Sequence, residues 1–274
     1  MTTVGTKTHR RRFLHTIVAA PVACSSSAAF AEGLASRLAK KDPSALKNSV
    51  FNIPPSAQVY PDWMKGSWQV TSVFRGYVFP SDKIPKSTLT RDVLIPGFQK
   101  CSIAAISDIG KDVVLWDLMI LKDGLEDRRT TLASQIDGFL GYKAVADVAY
   151  DVKVNPNRVS IDFIEYKTVN AERIELFCNG RESERYEKDG SPIFVCSEYI
   201  RQVTFSAGSE VGVPRQVVGN YANFWTWKYS YESDKLTGNL LTAAYLDPQD
   251  ALFFDEPAKP VVIYSHNMSA ERKI

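Results

Sequence analysis

The stretch Trp225-Thr226-Trp227-Lys228-Tyr229-Ser230-Tyr231, "WTWKYSY", carries an aromatic residue at every second position. A period of two is the mark of a β-strand, whose alternate side chains point to opposite faces of a sheet. Trp225, Trp227, Tyr229 and Tyr231 then share one apolar face, opposite Thr226, Lys228 and Ser230. Such a face fills a core, lines a pocket for an apolar ligand, or meets a partner.

Outward from this stretch the strand pattern continues in both directions. "AVADVAYDVKV", "RVSIDFIEYK", "ERIELFCNG", "IFVCSEYIRQVTF", "KLTGNLLTAAYL" and "PVVIYSHNMSAER" are rich in β-branched and aromatic residues. Turn signals at Asn155-Pro156-Asn157, Asp189-Gly190 and Glu232-Ser233-Asp234 separate several of them. Further strands are expected at "SWQVTSVF", "FQKCSIAAISDI" and "KDVVLWDLMIL", the last of which also reads as a short helix. About eight to ten strands at hairpin spacing predict an antiparallel barrel or sandwich. The clearest helix spans residues 127–140, with Leu132, Ile136, Phe139 and Leu140 on one stripe and Gly141 placed as its C-cap. It is expected to pack against the sheet.

The first residues read as an address. Arg10-Arg11-Arg12 precede an apolar run from Phe13 to Cys24, and Ala29-Phe30-Ala31 offers an A-x-A-like cleavage site. The paired arginines before Phe13-Leu14 give residues 1–31 the look of a twin-arginine export signal. The apolar run is shorter than the ~20 residues a spanning helix needs, so no transmembrane segment is expected in the mature chain. Residues 32–62 follow as a short helical lead and a Pro-punctuated strap, and residues 63–274 as one β domain.

Removal of residues 1–31 takes away Lys7 and three arginines and no acid, so 33 basic residues become 29 against 31 acidic, a net of −2. Such a balance lacks the basic footprint of a nucleic-acid-binding protein. Of the three histidines only His266 remains, which leaves little from which to build a catalytic triad or a histidine-rich zinc site. Cys101, Cys178 and Cys196 have no C-x-x-C spacing; Cys178 and Cys196 flank the expected hairpin tip "NGRESERYEKDGSP" and could pair across it. No catalytic residues, metal or cofactor are expected. Asp247 and Asp250 in "LDPQD" read first as a turn cap.

Two features mark candidate sites. Gly66-Ser67-Trp68 opens the first strand of the domain as the G-x-W of lipocalin-like barrels does, with Arg272 as the cation expected over the Trp68 ring. Arg201 and Gln202 interrupt the apolar "YIRQVTF", with one of the two side chains expected to face inward and Arg201 as the leading polar-site candidate; Trp225, Trp227, Tyr229 and Tyr231 are the candidate cavity wall.

The strings "YPDWMKGSW", "VKVNPNRVSI", "AYLDPQDALFF" and "KPVVIYSHNMSAER", in this order, resemble an uncharacterised family of cyanobacterial and plastid proteins, domain of unknown function 6816. The resemblance runs from about Asn52 to Arg272, departing at the insertion "ERYEKDGSPIF" between Glu184 and Cys196. It implies a lipocalin-like (calycin) β-barrel in the chloroplast thylakoid lumen, with a bacterial periplasm as the alternative, and brings no activity with it. The expected function is non-catalytic: binding of an apolar small molecule inside the barrel, or, with a solid barrel, of a thylakoid membrane complex. A cofactor-free isomerase is the third reading.

Overall fold

The computed structural model describes residues 32–47, 54–91, 113–168, 171–205 and 216–273. The expected export signal, Cys101 and the expected strand "FQKCSIAAISDI" lie outside the described residues.

Nine strands form one antiparallel sheet: β1 (Gly66–Val78), β2 (Val113–Ile120), β3 (Val145–Ala149), β4 (Arg158–Phe163), β5 (Arg173–Lys188), β6 (Ser191–Phe205), β7 (Gln216–Ser230), β8 (Lys235–Tyr245) and β9 (Val262–Arg272). Their order across the sheet is β2-β1-β9-β8-β7-β6-β5-β4-β3. From β3 to β9 each strand pairs with its sequence neighbour, the arrangement short turns dictate. Asp189 and Gly190 take positive φ of 52° and 70°, the primed two-residue turn that matches strand twist. The segment expected as a loose hairpin tip is therefore regular strand, with residue pairing from Lys188↔Ser191 back to Arg173↔Phe205.

The sheet is not closed into a barrel, contrary to the sequence expectation. Strand β2 lies at one end of the order and β3 at the other. Helix α1 (Leu34–Ala39) belongs to the N-terminal lead, α2 (Lys86–Arg91) follows β1, and α3 (Arg128–Leu140) lies against both β2 and β3. Hydroxyls of α3 meet the β2 backbone: Ser134 Oγ accepts from Asp117 N–H at 2.8 Å and Thr131 Oγ1 from Met119 N–H at 3.2 Å. On the other side the Asp137 carboxylate accepts from the Ala144 and Val145 amides, at 2.7 and 3.0 Å, where β3 begins. These side chains occupy backbone groups that a closing strand would have used. Close contact depends on Gly138, where an added Cβ would stand 2.1 Å from the Leu115 carbonyl oxygen.

Helix α3 starts at Asp127, whose carboxylate accepts from the amides of Arg129 and Thr130, and stops at Gly141 in the left-handed region at φ 80°. Its Ile136 is wholly buried, with Leu132 and Leu140 half-buried beside it.

Both faces of the central strands are covered. On the inner face one apolar cluster gathers around Ile136, Ile161 and Ile174, and a second around Trp68, Phe194 and Trp227. On the outer face the lead lays Leu34 and Leu46 on Tyr199, Phe224 and Tyr245. The Tyr199 and Tyr245 hydroxyls donate to the backbone carbonyls of Lys47 and Leu46, at 3.1 and 2.6 Å. Strand β6 is consequently buried from Pro192 to Ile200 without a break.

Candidate functional site

Between the two inner apolar clusters sits a group of buried charges. Strand β6 alternates, so Phe194, Cys196, Glu198, Ile200 and Gln202 face inward. On β5 a bulge between Cys178 and Gly180 inserts one extra residue. The bulge resets the alternation, so Arg181 falls opposite Glu198 and enters the interior that Cys178 also faces.

Arg181 Nε donates to Glu198 Oε1 at 2.7 Å, and Arg128, from the first turn of α3, donates to the same oxygen. Glu126 lies 3.8 Å from Arg128 Nε and accepts from the Tyr60 hydroxyl at 3.2 Å. The side chains of Arg128, Arg181 and Glu198 are at most 8% exposed. Burial alone would push the Glu198 carboxyl up, but the two guanidinium groups outweigh it and hold the carboxyl at about 2. For Glu126 burial wins: its carboxyl is pushed up, with Glu198 adding to the shift and Arg128 opposing it. Burial raises the Tyr60 phenol as well.

The strap holds this cluster from one side. Asn157 Nδ2 donates to the Pro55 carbonyl at 2.8 Å and Arg185 to the Val59 carbonyl at 3.0 Å, while Arg181 reaches the Ser56 carbonyl. The backbone amide of Tyr60 donates to Gly124 O at 2.8 Å. Tyr60 is thus carried into the inner core, where its ring meets Phe194 at 5.4 Å.

The aromatic stretch on β7 divides. Trp225 and Trp227 line the inner cavity beside Trp116 and Tyr221. Tyr229 lies at the rim, stacked on Trp63 at 5.7 Å and donating to Asp234 at 3.0 Å. Tyr231 lies outside the cavity, 68% exposed. Strand β7 ends at Ser230, so Trp225, Trp227 and Tyr229 share a strand face while Tyr231 falls in the turn that follows. The cavity measures about 60 Å³.

Arg201 is exposed, and the inward side chain is its neighbour Gln202, which donates to Thr204 Oγ1 at 3.0 Å and accepts from Tyr221 at 3.2 Å. Strand alternation sets Arg201 on the face away from Glu198. At the rim Arg272 lies 4.1 Å from the Trp68 ring, bonds the Lys65 carbonyl at 2.8 Å and pairs with Asp234 at 3.0 Å. Gly66, at φ 111°, gives the guanidinium room: a Cβ there would be 2.9 Å from Arg272 Nη1. The Trp68 indole N–H donates to Met64 O at 2.7 Å.

Cys178 and Cys196 are both free and buried. Cys178 pairs with Ile200 and Cys196 with Ser183, so four residues of β6, roughly 13 Å of strand, separate the two positions. Register forbids the bridge that their flanking of the turn suggested. Burial pushes the Cys178 thiol up to about 12 and the Cys196 thiol well above its usual value, so both stay protonated. In "LDPQD", Asp247 Oδ1 accepts from Gln249 N–H at 3.1 Å and Asp250 Oδ1 from Leu252 N–H at 2.8 Å, the geometry of a capped turn. Among the described residues no cluster of histidine, cysteine and carboxylates is placed to hold a metal.

Arg128, Arg181, Glu126, Glu198 and Tyr60 were not singled out from sequence. Inward Phe194 and Cys196 would have flagged Glu198 by alternation, but β6 is apolar on both faces and gives no period to count from. The bulge that turns Arg181 inward leaves no mark in the residue pattern.

Among the described residues no helix is long and apolar enough to cross a membrane. No curated protein and no solved structure matches the chain. The sequence profile of DUF6816, a domain of unknown function, matches residues 53–274, which include all nine strands, and the chain belongs to that family.

Proposed function

We propose that the protein is a non-catalytic auxiliary protein of the photosynthetic membrane that is exported to the thylakoid lumen and binds a membrane complex through its outer surface. The observation that carries this reading is the filled interior. A cavity of about 60 Å³ holds a few water molecules, whereas small-molecule sites run to roughly 300–1,000 Å³. A pigment or quinone has no room between Trp116, Trp225 and Trp227. The buried charges are engaged with one another, so the cluster ties α3, β5 and β6 together. The "RRRF" opening and the four family-like strings support the lumenal and plastid or cyanobacterial setting.

Affinity capture from detergent-solubilised thylakoid membranes, with the purified chain as bait, tests this. A reproducible set of membrane subunits in fixed ratio is the expected result. Capture of nothing reproducible, or of a pigment that co-purifies with the chain, defeats the reading.

One observation favours a second reading. Glu198 is held ionised while Glu126 is pushed toward its protonated form beside it, and such divergence is what acid–base enzymes build. The same small volume weighs against it. A cofactor-free isomerase reading requires that a small carbonyl compound perturb the Trp225 and Trp227 fluorescence saturably, and no such change is expected.

A further inference from the structure

A second concavity lies on the other side of the sheet. It runs between the N-terminal lead and the outer face of β1, β8 and β9, and its volume is about 400 Å³, within the range of small-molecule sites. Leu38, Pro43 and Leu46 of the lead form one wall; Val78, Leu241 and Ile263 of the sheet form the other. The lead crosses the sheet on Leu34 and Leu46 and leaves this space beside them. An apolar trough beside a docked helix attracts an apolar chain for the same reason that the helix docks: both remove hydrocarbon surface from water.

Charge at the trough is mainly positive. Arg37, Lys41 and Arg75 line it, against Asp42 as the one acidic residue among the described lining residues. The Asp42 carboxylate is already occupied as a cap, accepting from Ser44 N–H at 2.9 Å. Arg37 pairs with Glu182, yet its Nε is buried and without a hydrogen-bond partner among the described residues. A buried guanidinium donor without an acceptor calls for one from outside the chain. Lys41 and Arg75 are exposed and have no ion-pair partner among the described residues.

Arg75 reaches this face by ordinary strand alternation, because Phe74 points inward, and a second bulge sits at the same place. The β1–β9 register jumps between Phe74↔His266 and Gly76↔Ser265, so Arg75 is the extra residue. Phe74 points inward beside His266, and Gly76 follows at φ 117° with nothing within 4 Å of the place a Cβ would take. Bulges commonly re-aim a side chain. Here the one at Arg75 brings Gly76 and Val78 onto the same face, opposite Ser265 and Ile263.

We propose that this groove binds a single-chain anionic amphiphile: an alkyl chain lying between the lead and the sheet, with its anionic head at Arg37, Lys41 and Arg75. This site is separate from the inner cavity and does not depend on the partner reading above.

Calorimetric titration of the purified chain with octanoate, decanoate and dodecanoate, each below its micelle concentration, tests the proposal. Saturable one-to-one binding is expected, tightening by about fourfold per added methylene. The double variant Lys41→Glu/Arg75→Glu is expected to weaken dodecanoate binding tenfold or more and to leave dodecanol binding unchanged. Val78→Trp, which adds bulk at an exposed groove position, is expected to weaken both ligands. Circular dichroism establishes that each variant is folded. Absence of saturable binding, affinity indifferent to chain length, or affinity indifferent to the charge reversals overturns the proposal. So does binding to vesicles of anionic phospholipid without binding to the monomeric amphiphile, and so does binding of inorganic phosphate as tight as that of dodecanoate.

Discussion

Glu198 carries two guanidinium groups on one carboxylate that is only 5% exposed. Removing one partner of such an arrangement costs more than removing an exposed pair, because the remaining charge is left buried. Arg128→Met is expected to lower stability by about 3–5 kcal/mol in urea unfolding. Arg272→Met, which breaks a half-exposed pair with Asp234 and the contact with Trp68, is expected to cost about 1–2 kcal/mol. The same group predicts an acid limit. With its folded value held at about 2 against an ordinary 4.5, ionised Glu198 favours the folded state above pH 4.5, and that stabilisation, about 3 kcal/mol, is lost as pH falls through 2. Glu126 acts in the opposite sense: its raised carboxyl disfavours the folded state once ionised, a cost that disappears as pH falls below the usual carboxylate range. Glu126→Gln, which keeps an acceptor for Tyr60, is therefore expected to raise the melting temperature at pH 7 and to lose that advantage by pH 3.

Helix α3 lies against both end strands of the sheet, and it meets their backbone with side-chain hydroxyls and one carboxylate. Its closeness to β2 rests on the missing Cβ of Gly138. Gly138→Ala raises helix propensity, yet it is expected to destabilise by about 2–4 kcal/mol, since backbone has to move; hydrogen exchange at the β2 amides of Asp117 and Met119 would report the loosening. The helix itself was readable in the sequence, because Asp127, the Leu132–Ile136 spacing and Gly141 are local signals. Its role was not. Closure of a sheet depends on which strands end unpaired, and that is decided by residues far apart in the chain. The long hairpin shows the same limit. Asp189-Gly190 located the turn, whereas the strand character of "RESERYEK" was hidden by its charges, most of them partly or fully exposed although the strand they pair with is buried. Arg201 and Glu198 differ by three positions and lie on opposite faces; choosing between them needs the register, which Phe194 and Cys196 supply only once they are known to face inward.

At the scale of the whole molecule the N-terminal lead acts as an outer layer. It covers Tyr199, Phe224 and Tyr245 and supplies the carbonyls that accept from two of their hydroxyls. A chain shortened to begin at residue 54 is expected to expose that apolar face, to bind anilinonaphthalene sulfonate while retaining its β-sheet circular dichroism, and to lose the groove. The strand order has another consequence. Strand β9 is the last of these nine in chain order, and it lies between β8 and β1, the first of them. Hairpins from β3 to β8 can zip as they emerge from the ribosome, whereas the β1–β2 pair has no place in the sheet until β9 arrives, so the join spans nearly the whole domain and is slow to find. Termination before β9 would leave the first two strands beside an unfinished sheet. The closing step thus serves as a check on synthesis: only a chain made through β9 can assemble this sheet.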